Sequence, residues 1–155
     1  MEPVPASNSR TVQTSLVLPP DTNHLGTIFG GKVLAYIDEV AAIAAMRHAR
    51  NPVVTASIDS VDFLSPVKEG DIVNVEAFVS WTGRTSMEVY VKVMSEKGPG
   101  GDRRVTAISF VTMVAVGKDG KPVPVPKVLP ETEEEKQLFE SAPERQELRK
   151  KRKKR

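Results

Sequence analysis

Asn23-His24-Leu25-Gly26-Thr27-Ile28-Phe29-Gly30-Gly31, followed seven residues after the last glycine by Asp38, reads as a polar loop feeding a helix that carries a carboxylate. From about Lys32 to His48 the apolar residues Val33, Ile37, Val40 and Ala44 recur at helical spacing, and Asn51-Pro52 supplies the stop. Ala41, Ala42, Ala44 and Ala45 keep this helix thin. A carbonyl oxygen approaching its N-terminus would meet backbone N–H groups that lack intrahelical partners, and Gly30 and Gly31 have no side chains to block it. Oxyanion sites are made in this way.

At about 100° per residue, Asp38 shares a face with Gly31, Leu34, Ala35, Ala41, Ala42 and Ala45, at the margin of the buried stripe. An acid beside small apolar neighbours is either a partly desolvated functional group or a carboxylate that finds structural donors. The loop ahead of Asp38 singles it out. Glu39 points about 100° away, nearer Lys32, Tyr36 and Met46, and reads as a solvated or interfacial residue.

The 155 residues, 39% of them hydrophobic, suit one domain with a moderate core. No apolar run approaches the roughly 20 residues of a membrane helix, and Met1 to Arg10 lacks the layout of a secretory signal, so a cytoplasmic location without integral membrane association is expected. The absence of cysteine excludes disulfides, thiol nucleophiles and thiolate metal sites, and two histidines leave little for a zinc centre. Catalysis here would rest on carboxylates, hydroxyls, amides or histidine. The net charge of +2 is uneven, because Lys150-Lys151-Arg152-Lys153-Lys154-Arg155 closes the chain and leaves the body mildly acidic. Specific nucleic-acid binding by such a body is not expected.

Thr11 to Leu18 reads as a first strand stopped by Pro19-Pro20, after a flexible arm over residues 1–10. Val53 to Phe63 changes phase, which predicts a bulge near Asp59 or Ser60. Ile72 to Trp81 alternates, turns at Thr82-Gly83-Arg84 and continues through Met87, Val89, Val91 and Val93 as a long hairpin. Arg104 to Val116 is apolar on both faces, as for a central strand or one covered by a partner subunit. The prediction is an α+β fold, one long central helix wrapped by a curved antiparallel sheet of about five strands over residues 11–117. Residues 118–155 read as a Pro-rich extension and a charged tail, helical over Thr132–Phe139 and again over Pro143–Arg152.

In this frame the chain resembles the hot-dog-fold acyl-CoA thioesterases of the cytosolic long-chain acyl-CoA hydrolase type. The residues that carry the resemblance are Asn23 to Gly31, Leu34 to Ala41, Ser60-Val61-Asp62-Phe63, Pro66 to Asp71, and Gly83-Arg84-Thr85-Ser86-Met87-Glu88-Val89. The resemblance implies hydrolysis of fatty acyl-CoA to free acid and CoA, with no metal and no cofactor beyond the CoA of the substrate. It assigns Asn23 to orienting water or thioester, Asp38 to the role of general base or nucleophile, and the amide of Gly31, with Gly30, to the oxyanion. It also implies that Asn23 and Asp38 meet across a dimer interface, and that dimers assemble further, as in a trimer of dimers.

Arg84, Thr85 and Ser86 resemble the CoA-contact region, and a guanidinium with two hydroxyls suits phosphate oxygens; the other reading is a turn with a surface arginine. His24 reads as a loop histidine bonded to backbone or water, and His48 as one placed favourably near a helix C-terminus. Trp81 and Phe63 read as sheet core or acyl-tunnel lining, and Asp59 and Asp62 as markers of the bulged strand. The competing function is a non-catalytic acyl-CoA sensor on the same fold. An enoyl-thioester hydratase is disfavoured because neither histidine falls in an obvious Asp-His pair.

Overall fold

The alternating stretches fold as antiparallel strands whose apolar side closes on the long helix. In the computed structural model, which describes residues 1–154, the elements run β1 (Val4–Pro5), β2 (Thr11–Leu16), α1 (Gly30–Ala49), β3 (Val53–Ile58), β4 (Ile72–Thr82), β5 (Ser86–Glu96), β6 (Arg103–Ala115), β7 (Val128–Leu129) and α2 (Glu133–Lys153). The main sheet has the order β2-β4-β5-β6-β3. Its inner face presents Val73, Val75, Ala77 and Val79 of β4, Val89, Val91 and Val93 of β5, and Ala107, Val111 and Met113 of β6, all buried. Against them lie Val33, Ile37, Val40, Ala41, Ala44 and Ala45 of α1, none more than marginally exposed. The helix ends where Arg50 takes a left-handed conformation, with φ of 54°, and its amide bonds back to the Met46 carbonyl.

The outer face of the sheet is also used. Phe78, Tyr90 and Phe110 form one row across β4, β5 and β6, with ring centroids 5.5 and 5.6 Å apart. Over it runs α2, which buries Ala142 and sets the Arg145 guanidinium 4.0 Å from the centroid of the Phe110 ring. Glu88, the next outward residue on β5, is 1% exposed and receives the Arg145 Nε at 2.9 Å and Nη2 at 2.8 Å, with Ser80 Oγ donating at 2.7 Å. This bidentate ion pair ties the tail to the sheet.

Several expectations are corrected. The tail is one helix rather than two, with Pro143 inside it and Arg145 Nη2 donating to the Leu138 carbonyl nearby. Thr132 caps that helix in a capping box with Glu135, and its acidic first turn and basic last turn both suit the helix dipole. Residues 1–10, expected to be a flexible arm, are docked. Val4 and Pro5 pair in parallel with Val128 and Leu129, and buried Ser9 accepts from the Val79 amide through its hydroxyl. Backbone pairing and one hydroxyl leave no hydrophobic period for a sequence reading to detect. Strand β2 ends at Leu16 rather than Leu18, because Pro19–Asp21 forms a 3-10 turn and Asp21 Oδ2 accepts from the Leu18 amide at 2.9 Å.

The bulge of β3 falls between Thr55 and Ser57, not at Asp59 or Ser60. Beyond Ile58 the chain has left the ladder, and only scattered bonds such as Leu64 N–H to the Thr106 carbonyl hold it, so the phase change at Val61 and Phe63 marks a departure from the sheet. The true bulge has a geometric effect. Thr55 pairs with inward-facing Met113, whereas Ser57 pairs with outward-facing Thr112. One inserted residue, Ala56, therefore turns two hydroxyls to opposite faces of the same strand.

Candidate active site

Helix α1 begins at Gly30 with Phe29 as N-cap, and no side chain caps it. The loop before it is shaped by Asn23, whose Oδ1 accepts from the amides of Leu25 at 2.9 Å and Thr27 at 3.3 Å, while its Nδ2 donates to Thr27 Oγ1 at 2.9 Å. Gly26 turns the chain at φ of 77°, a conformation that favours glycine. The result presents Gly30 and Gly31 at an uncapped helix start. A Cβ at Gly31 would meet nothing, and one at Gly30 would touch the Phe63 ring at 3.4 Å. Approach to the Gly31 amide is open.

Two turns further along, Asp38 is half-buried at the edge of the apolar stripe, and Thr55 Oγ1 of β3 donates to its Oδ1 at 2.6 Å. That hydroxyl donor fixes the rotamer of the carboxylate. Asp38 Oδ2 has no hydrogen-bond partner among the described residues. Thr55 was missed by the sequence reading: a threonine in a β-strand is ordinary, and only the fold sets it beside a helix carboxylate.

The structure brings together Asp38 and Thr55, but it does not join Asn23 to Asp38 within one chain. Seven residues of helix at about 1.5 Å each separate Gly31 from Asp38 by about 10 Å along the axis. Thr55, Met113 and Met87 occupy one row across β3, β6 and β5, so Ser86 lies about two strand spacings, roughly 10 Å, from Thr55. Arg84 is exposed and lines a cavity of about 430 Å³ with Trp81, Thr82, Gly83, Val125 and Lys127; Thr85 and Ser86 do not reach it. Trp81 is thus part of a cavity wall rather than the core. Phe63 is 52% exposed and lines a smaller cavity of about 210 Å³ with Thr27, Ile28, Gly30 and Thr106. Asp62 and His24 are exposed, and Asp59 pairs with Arg152. No cluster of three or more His, Cys, Asp or Glu side chains able to hold a metal occurs among the described residues, and none of their helices is long and apolar enough to cross a membrane.

His48 departs from its expected role. It is 1% exposed, its Nε2 bonds the Pro126 carbonyl at 2.7 Å, and burial pushes its pKa below the ordinary 6.5 while that hydrogen bond works the other way. A neutral ring gains nothing from the helix dipole; the histidine is a donor that ties α1 to the Pro-rich segment. The unfolded chain takes up the proton at higher pH than the folded chain, so this contribution to stability is present above about pH 6.5 and is lost as the pH falls. Replacement of His48 by Gln is expected to flatten the acid limb of the stability curve below about pH 6.5, measured by urea unfolding across pH; parallel curves would refute the role.

One helix inside a five-stranded antiparallel wrap, starting at an uncapped glycine pair and carrying a threonine-held aspartate, is the architecture of a hot-dog thioesterase. Residues 25–101 match the thioesterase superfamily. A Bacillus subtilis (strain 168) protein described as an uncharacterized acyl-CoA thioester hydrolase is 53% identical over 145 residues, covering 94% of this chain and 84% of that one. The chain belongs to the thioesterase superfamily. A crystal structure of an apo-hexameric acyl-CoA thioesterase is 64% identical, with a TM-score of 0.95 over 98% of this chain and 97% of that one. The Staphylococcus aureus acyl-CoA hydrolase, solved with butyryl-CoA, CoA and CoA disulfide, is 47% identical, with a TM-score of 0.91 over 96% of this chain and 90% of that one. That enzyme has also been solved with an Asp, a Thr and an Asn each replaced by alanine. Those three residues follow one another at the sequence separations of Asn23, Asp38 and Thr55 in this chain.

Proposed function

We propose that this chain hydrolyses acyl-CoA thioesters to free acid and CoA, with Asp38 as the group that activates or performs the attack. The observation that carries the reading is the Thr55–Asp38 hydrogen bond, 2.6 Å long, on the helix whose first amides are uncapped. As general base, Asp38 takes a proton from water, the hydroxide adds to the thioester carbonyl, and collapse of the tetrahedral oxyanion breaks the C–S bond with the thiolate of CoA leaving. As nucleophile, the carboxylate oxygen adds directly, an anhydride forms as CoA leaves, and water cleaves it. In either route the Gly31 amide, with that of Gly30, stabilises the oxyanion, and Asn23 orients water or thioester.

A thioester carbonyl and its attacking water cannot span the roughly 10 Å between Gly31 and Asp38 of one chain. The site therefore combines Asp38 of one copy with the Asn23 loop of another. Edge strand β3 with exposed Val54 and Ile58, and the exposed Leu34 and Phe29 of α1 and its loop, are the surfaces that such a copy covers. A dimer is the minimum assembly, and a trimer of dimers accords with the hexameric relative. Arg84, Thr85 and Ser86 contact the CoA portion of the substrate, and the enzyme works in the cytoplasm.

The test is release of free thiol from acyl-CoA substrates of increasing chain length. Turnover is expected in the wild type, and Thr55→Ala is expected to lower kcat about 10- to 100-fold with little change in KM, because it removes a positioning contact without touching the CoA region. Tight acyl-CoA binding without turnover would replace the hydrolase by a sensor.

A further inference from the structure

The basic end of α2 does not simply trail into solvent. Arg149 Nε donates to Ser57 Oγ at 3.1 Å, and Arg152 pairs with Asp59, so two guanidinium groups are drawn down onto β3 at its bulge. Between helix and strand they enclose, with Ala56, Ser57 and Lys153, a cavity of about 230 Å³. Three cations line or border that space and one carboxylate, Asp59, answers them. Crowding like charges into a concavity costs energy that a bound anion would relieve. The body of the chain is acidic without its last six residues, so the cavity is a local positive site on a molecule that would otherwise repel a polyanion.

We propose that this cavity is a phosphate-binding subsite for the nucleotide end of the CoA substrate. The inference rests on the acyl-CoA reading above. Two features favour a discrete phosphate over a flat anionic surface. Two of the three cations are guanidinium groups fixed by side-chain partners, a geometry suited to bidentate phosphate recognition, and all three line a concavity. Ser57 also lies only two residues, about 7 Å, from Thr55, the partner of Asp38. The bulge at Ala56 sends Thr55 to the catalytic face and Ser57 to the phosphate face of one edge strand. The pantetheine arm of CoA is longer than this step, so a substrate whose thioester is at Asp38 carries its phosphates far enough to reach such a cavity on a neighbouring copy.

The experiment compares the full chain with Arg149→Ala/Lys153→Ala and with Ser57→Ala, which frees Arg149 but keeps its charge. CoA affinity is measured by calorimetry, and kinetics are measured with acyl-CoA and with acyl-pantetheine, which has no nucleotide. The double variant is expected to bind CoA about 10-fold more weakly at low salt and to raise KM for acyl-CoA to match. The difference should shrink at high salt, with kcat and all acyl-pantetheine kinetics within twofold of wild type. Equal losses on both substrates would assign the arginine to folding alone and overturn the proposal, as would unchanged CoA affinity. Weaker sedimentation with phosphatidylglycerol vesicles at unchanged CoA affinity would give the cations to lipid headgroups instead. Absence of thiol release by the wild type would sink the hydrolase reading, which the CoA calorimetry does not depend on.

Discussion

Asp38→Asn is expected to lower kcat by at least about 10²-fold while the protein stays folded. The amide keeps the shape of the side chain, and its carbonyl oxygen still accepts the Thr55 hydroxyl that reaches Oδ1 at 2.6 Å. It loses the charge, and with it the ability to take a proton from water or to attack a carbonyl carbon. Both routes for Asp38 therefore fail in this variant, and the loss falls on kcat, since the interaction exists only when the thioester reacts. Asp38 is half-buried at the margin of the stripe, not beneath it, so the thermal transition should move little. Thiol release under saturating acyl-CoA, read beside a melting curve, checks the claim. Activity within tenfold of wild type in a folded variant would remove Asp38 from the chemistry. Capture of a covalent acyl-enzyme on Asp38 in the wild type would select the nucleophilic route.

Arg145→Ala is expected to be among the most destabilising single changes in the chain, by about 3–5 kcal/mol. Glu88 is 1% exposed, and Arg145 supplies both its Nε and Nη2 donors. Removing the arginine leaves a buried carboxylate with Ser80 and a long contact from Gln146, and strips the cation from the face of Phe110. The cost comes from the orphaned charge rather than from the worth of the pair. A double change, Glu88→Gln with Arg145→Met, is accordingly expected to recover much of the loss. Urea unfolding of the two singles and the double decides it; additive effects would mean that the pair does not act as a unit. The pair is the buried tie between α2 and the middle of the sheet, so Arg145→Ala should also raise protease sensitivity within Glu133–Lys153.

Much of the fold is legible in local pattern. The period of Val33, Ile37, Val40 and Ala44 gives α1, and alternation gives β4, β5 and β6, because burial on one side of an element repeats at that element's own period. The Asn23 loop, the glycine pair and Asp38 were legible for the same reason, since loop, helix start and helix face are neighbours along the chain. Glu88 and Thr55 were not. Alternation places Glu88 on the outward side of β5, which reads as solvent, and nothing near it in sequence announces that Arg145, 57 residues on, will cover it. Thr55 is as distant from Asp38 in pattern, since the bulge that aims it lies at Ala56 and not where the apolar phase reverses.

The sequence by itself determined α1, β4, β5 and β6, the side of each that is apolar and the carboxylate on α1, all set within a turn or two of backbone. Tertiary structure alone decided what meets the polar sides of those elements. The threonine that holds Asp38, the helix that seals the outer sheet face and the docking of residues 1–10 each depend on pairing between segments far apart in the chain, and hydrogen bonds of that range leave no period behind them. The roughly 10 Å between Gly31 and Asp38 is fixed already by helical rise.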